Sequence, residues 1–74
     1  MYAIESSFAK RFNEALSLNE LRAVDFEKIS GLDKSAISQY RSGYATPKLE
    51  RIVMIANLLS VNPAWLMGLN VHKR

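Results

Sequence analysis

Between Asp33 and Gly43 the chain reads DKSAISQYRSG, and Lys34, Ser35, Ser38 and Gln39 within it are all hydrogen-bonding side chains without a carboxylate. At about 100° per residue they share, with Arg41 and Ser42, one helix side of roughly 160°, opposite Ala36, Ile37 and Tyr40. These residue types suit the edges of nucleobases. A carboxamide such as Gln39 makes a two-pronged contact to adenine, an ammonium such as Lys34 donates to guanine O6 and N7, and the serine hydroxyls pair with several bases. Next along the chain, Arg41, Ser42, Gly43, Tyr44, Thr46 and Lys48 offer side-chain and backbone donors at one helix end and the next helix start, the kind of group that holds a phosphate backbone in register. An ordinary solvated helix also carries Ser, Gln and Lys on its outer face, so the strip alone leaves both readings open.

Five helices, and no strand, are predicted to position this segment. Asp33 is the expected N-cap of the third helix, about 33–42, and Gly43 its C-terminal glycine. Its apolar side is expected to pack on the second and fourth helices. The second helix, about Arg22 to Ser30, turns inward Leu21, Phe26 and Ile29 and ends at Gly31; Arg22 stands where a Ser, Thr or Asp cap is usual. The first, about Ser6 to Leu18, carries Ile4, Phe8, Phe12 and Leu16 at intervals of four, widened by Ala9 and Ala15, with Ser6 or Ser7 as cap. The fourth, about Pro47 to Leu59, has Pro47 in its first turn and a core stripe of Leu49, Ile52, Ile55, Ala56 and Leu59. Asn62 and Pro63 start the fifth and Gly68 ends it, with Trp65 and Leu66 plugging the bundle. The whole reads as a single all-α domain over 1–74, its core about 6–68 and its end, 69–74, a frayed tail.

Composition narrows the function. Four basic and five acidic residues give 1–32 a charge of −1, three against one give 33–48 +2, and three against one give 49–74 +2. The positive excess therefore begins with the third helix, as phosphate binding on one face requires. There is no cysteine, so neither a disulfide nor a thiolate zinc site can form. The longest apolar runs, such as Ile52 to Ala56, are far too short to span a membrane, and Met1 to Lys10 lacks the pattern of a signal peptide, so the expected location is cytoplasmic. His72 has no converging ligands, Asp25, Glu27 and Glu50 read as solvated charges, and no nucleophile triad or phosphate loop can be assembled; no enzyme activity, metal, cofactor or small-molecule ligand is expected. Met54, Leu58, Trp65 and Met67, with Val53, exceed what one helix face buries. They are read as satellite core under the fifth helix or, in part, as a homodimer contact.

The segment GLDKSAISQYRSG, Gly31 to Gly43, resembles the turn and recognition helix of the XRE family of lambda repressor-like and Cro-like helix-turn-helix regulators. PKLERIVMIANLLSVNPAWLMG, Pro47 to Gly68, is similar to the last two helices of that family, and its NPAWLMG ending looks like repressors of Gram-positive bacteria and their phages. The resemblance covers about residues 6–70. It implies a compact five-helix domain from a bacterium or prophage, associated with the nucleoid, that binds double-stranded operator DNA as a dimer with the third helix in the major groove. It puts base reading on Lys34, Ser35, Ser38 and Gln39, and phosphate contacts on Arg22, Ala23, Tyr44, Thr46 and Lys48. The sequence departs from the family pattern in three places. Arg22 and Ala23 stand for the usual polar cap and Gln, Glu27 occupies a position normally held by Ala, and Leu16 and Arg41 replace an Arg–Glu ion pair between the first and third helices. The competing reading keeps the fold and makes it a protein-interaction module, an antitoxin or adaptor.

Overall fold

The computed structural model describes residues 7–74, and within them the chain forms five helices joined by short turns. They are α1 (Ser7–Leu18), α2 (Ala23–Ser30), α3 (Lys34–Ser42), α4 (Leu49–Leu59) and α5 (Pro63–Leu66). No strand occurs among the described residues, so the fold is all-α as the periodicities predict. Ile4 and the Ser6 cap lie outside the described residues.

Burial follows the helical stripes. Phe8, Phe12, Ala15 and Leu16 of α1 meet Phe26 of α2, Ile37 and Tyr40 of α3, Ile52, Ile55, Ala56 and Leu59 of α4, and Trp65 and Leu66 of α5 in one cluster. Its centre is aromatic. The ring of Phe12 stacks on Phe8 at 5.4 Å between centroids and meets Phe26 edge-on at 5.4 Å and Tyr40 edge-on at 6.5 Å. Such pairs contribute about 0.5–1.5 kcal/mol each beyond their area burial. One side chain of α1 thereby ties down both helices of the turn motif. The expectation that α3 packs on α2 holds, while the expectation that it packs on α4 needs correction. Its main neighbours are α1 and α2, and α4 reaches it where Arg51 Nη1 donates to the Tyr40 hydroxyl at 3.0 Å.

Two residues of the predicted core stripes face water. Ile29 is 49% exposed, because it sits in the last turn of the short α2, beyond the inward-facing Phe26. Leu49 is 58% exposed, because α4 begins at Leu49 and its first turn overhangs the core, leaving Ile52 as the first buried position. Pro47 precedes this helix rather than opening it, and is buried in the preceding loop.

Part of the last segment is tied back onto the helices. The Asn62 backbone N–H donates to the carbonyl of Lys73 at 2.6 Å, and Lys73 Nζ pairs with Glu14 of α1 at 2.7 Å. Arg11 donates to the carbonyls of Trp65 and Leu69 at 2.6 and 2.7 Å, and its guanidinium lies 5.1 Å from the centre of the Trp65 ring, with Lys73 5.6 Å from the same ring. The open N–H at the start of α5, the Arg11 bonds to carbonyls after it and the cations around an aromatic face hold the segment back onto α1. Trp65 is only 6% exposed, so it belongs to the core and drops out of the set considered for a dimer contact.

Two substitutions test this packing. Gly68 has φ +108°, and a Cβ there would lie 2.7 Å from the Cβ of Ser7, whereas Gly31 at φ +76° has open space around it. Gly31→Ala is expected to cost about 1–2 kcal/mol from backbone strain alone, and Gly68→Ala more, as read by urea denaturation. Phe12→Ala, at the aromatic centre, should cost about 3–5 kcal/mol, a large share of the stability of any small domain.

Candidate nucleic-acid interface

The start of α3 is held by Asp33, whose side chain accepts from the Ala36 backbone N–H at 2.8 Å. Its end is closed at Gly43, in the left-handed region at φ +84°. Between these caps Ile37 and Tyr40 are buried and Ala36 is half-buried, while Lys34, Ser35, Ser38 and Gln39 are all exposed. The amphipathic pattern therefore translates directly into an inner and an outer face, and the four residues lie together on the outer one.

The loop after α3 folds by its own hydrogen bonds. The Ala45 N–H donates to the Gln39 carbonyl at 3.3 Å. The Ser42 hydroxyl donates to the same carbonyl at 3.1 Å and accepts from the Tyr44 N–H at 3.3 Å. Ser42 thus closes the helix, and its hydroxyl proton is committed there rather than offered outward. Tyr44 is 82% exposed, and Thr46 and Lys48 are exposed beside it, Lys48 as the residue that caps α4.

At the start of α2 the missing cap is replaced from within the helix. Asp25 accepts from the Arg22 backbone N–H at 3.0 Å and from its Nε and Nη2 at 3.1 and 3.3 Å. The Arg22 hydrogen bonds hold the Asp25 carboxyl below the usual carboxylate range, and Asp25 raises the Arg22 guanidinium in turn. Asp25 thus favours folding at neutral pH, and this contribution fades as pH falls through its lowered titration. Arg22 is exposed and Asp25 only partly covered, so the contribution is small. Arg22 therefore approaches any phosphate with a carboxylate already beside it.

Two grooves flank the exposed strip. One, of about 620 Å³, runs toward α4 and is lined by Gln39, Tyr40, Thr46, Lys48, Glu50 and Arg51, among others. The other, of about 440 Å³, runs toward α1 and the start of α2 and is lined by Asn13, Ala23, Lys34, Ser38, Arg41 and Ser42. The second holds two cations and no carboxylate. A smaller hollow of about 290 Å³ between α2 and α3 is lined by Ala23, Val24, Glu27, Lys34 and Ile37. Glu27 stays half-buried at this hollow, so the helices accommodate a long side chain where the family pattern has a small one.

Two participants escaped the sequence reading. Asn13 of α1 donates its amide to the Arg41 carbonyl at 2.9 Å and accepts from Arg41 Nε at 2.7 Å. Arg51 reaches the Tyr40 hydroxyl. Neither residue has a local signal, since Asn13 and Arg41 are 28 positions apart and meet only after α1 and α3 pack. The α1–α3 link that the missing ion pair would supply is thus made by a neutral amide to the carbonyl and the Nε of Arg41.

A helix-turn-helix family model, HTH_3, matches residues 15–66, more than half of the chain. The chain belongs to this family. α2, the Gly31 turn and α3 are its helix-turn-helix unit, and the XRE-type resemblance read from Gly31 to Gly43 agrees with the match. It is a DNA-binding regulatory domain, from a family not typically enzymatic. Among curated proteins no sequence match is found. No helix among the described residues of this helix-turn-helix domain is long and apolar enough to cross a membrane.

The capping geometry gives a direct test. Asp33→Ala removes the acceptor for the Ala36 N–H at the start of the outward helix, and is expected to cost about 0.5–2 kcal/mol. Amide hydrogen exchange should locate the added opening in the first turn of α3, around Lys34 to Ile37.

Proposed function

We propose that this domain is a sequence-specific transcriptional repressor that inserts α3 into the major groove of a palindromic operator. The observation that carries the reading is the carboxylate-free strip of Lys34, Ser35, Ser38 and Gln39, with a cation-bearing groove on each side. A helix seated in a major groove about 12 Å wide has base edges before it and a phosphate strand on either flank. In this arrangement Gln39 and Lys34 make the two-pronged base contacts and Ser35 and Ser38 supplement them. Lys48, Thr46 and Tyr44 hold one strand, and Arg41, Arg22 and the backbone N–H of Ala23 hold the other, while Ser42 shapes the loop.

Two copies bind the two half-sites. Leu58 and Met67 keep exposed apolar surface for a contact between them, whereas Met54 packs partly against the core. The domain needs no cofactor or small-molecule ligand in this role, and it works in the cytoplasm on the nucleoid.

Selection of bound duplexes from random-sequence DNA tests the proposal. A palindromic consensus is expected, and recovery of unrelated sequences at equal affinity would refute it. On the selected duplex, Gln39→Ala should lose about 1–3 kcal/mol and relax the preference at one base pair per half-site. Lys48→Ala should weaken binding to all sequences alike and flatten the salt dependence.

A further inference from the structure

The reciprocal pair between Asn13 and Arg41 does more than join two helices. Both functional atoms of the Asn13 amide are spent on Arg41, one on its carbonyl at 2.9 Å and one on its Nε at 2.7 Å. A guanidinium held at Nε cannot swing freely about its stem. Its two terminal nitrogens have no hydrogen-bond partner among the described residues, and Arg41 itself is exposed. Arg41 lines the groove shared with Lys34, Ser38 and Ala23, which contains no carboxylate. A planar fork with its edge nitrogens open and its orientation fixed is the geometry that captures a phosphate by two parallel hydrogen bonds.

We propose that Asn13, on the first helix and outside the turn motif, is a positioning residue for DNA binding: it aims the Arg41 guanidinium at a backbone phosphate on the α1 side of the recognition helix. The chemistry favours a neutral amide in this place. An acidic partner would orient Arg41 equally well but would neutralise it and repel the incoming phosphate. Asn13 supplies the acceptor without the charge, so the full positive charge remains for DNA. The second hydrogen bond, to the Arg41 carbonyl, fixes the backbone from which the side chain springs, so that the aim is set at both ends. Holding the side chain before DNA arrives also reduces the rotamer entropy lost on binding.

This inference rests on the reading of Arg41 as a phosphate contact, and the two can fail separately. The probe is a mixed-sequence DNA duplex of about 30 base pairs, titrated by fluorescence anisotropy at several salt concentrations. Arg41→Gln tests the contact itself and should lower the slope of log affinity against log salt by about one. An unchanged slope would remove the contact and the inference together. With the contact established, Asn13→Ala should weaken binding about three- to tenfold in the native background and much less when Arg41 is already Gln or Lys, where only its bond to the backbone carbonyl remains to be lost. The lysine variant keeps the charge but has no Nε–H for Asn13 to hold. If Asn13→Ala leaves the native affinity unchanged, Asn13 does not aim Arg41. If it weakens all three backgrounds equally, Asn13 merely steadies the helix, and the proposal is overturned. Circular dichroism at the titration temperature confirms that each variant is folded. The half-buried position of Asn13 makes the substitution tolerable, and Asn13→Ser provides a second variant whose short hydroxyl cannot bridge both groups.

Discussion

The arrangement depends on the ring of Phe12. It is fully buried and meets Phe8 on its own helix, Phe26 on α2 and Tyr40 on α3. A small domain has little interior with which to fix three helices, and flat rings in edge-on contact define mutual orientation more narrowly than aliphatic chains do. The angle between α2 and α3, and hence the direction in which the outer strip of α3 points, follows from how these rings fit. Tyr40 extends the constraint outward. Its ring belongs to the core, while its hydroxyl accepts from Arg51 of α4. The core and the α4 side of the outer groove are therefore joined through one side chain.

Around that centre, polar contacts serve position more than stability. Asp33 orders the first turn of α3, Ser42 closes its last turn, and Asn13 of α1 grips Arg41 within that turn. Each satisfies a backbone group that a helix end would otherwise leave open, or restrains a side chain at the edge of the strip. The acidic side chains nearest the interface, Asp25 at Arg22 and Asp33 at its cap, are each engaged at a helix start, where negative charge is favoured. The groove on the α1 side keeps Lys34 and Arg41 without a carboxylate, whereas Glu50 shares the α4-side groove with Lys48 and Arg51.

Much of this was legible in the chain. Asp33, Gly31, Gly43, Asn62 and Pro63 mark helix ends by local chemistry, and each stands at or beside the expected boundary. The two-sidedness of α3 follows from 3.6-residue periodicity, so the exposure of Lys34, Ser35, Ser38 and Gln39 needed no tertiary information. The errors arise where a helix overruns its neighbours. Ile29 and Leu49 have the right residue type and phase, but periodicity gives the face of a helix and not the length over which a partner covers it. The contacts of the last residues have no local signal for a related reason. Two of their anchors, Glu14 and Arg11, lie far away in sequence, and the segment carries no mark of the partners it will meet.

The sequence by itself therefore determined the helix count, the caps, the inner and outer sides of α3 and the chemistry displayed there, because these depend on residues within a few positions of one another. The tertiary structure alone decided that α3 lies against α1, that Ser42 spends its hydroxyl on the helix end, and that Asn13 stands behind Arg41. Those outcomes require side chains tens of positions apart to compete for the same space and the same hydrogen-bonding groups. Only the packed chain resolves that competition.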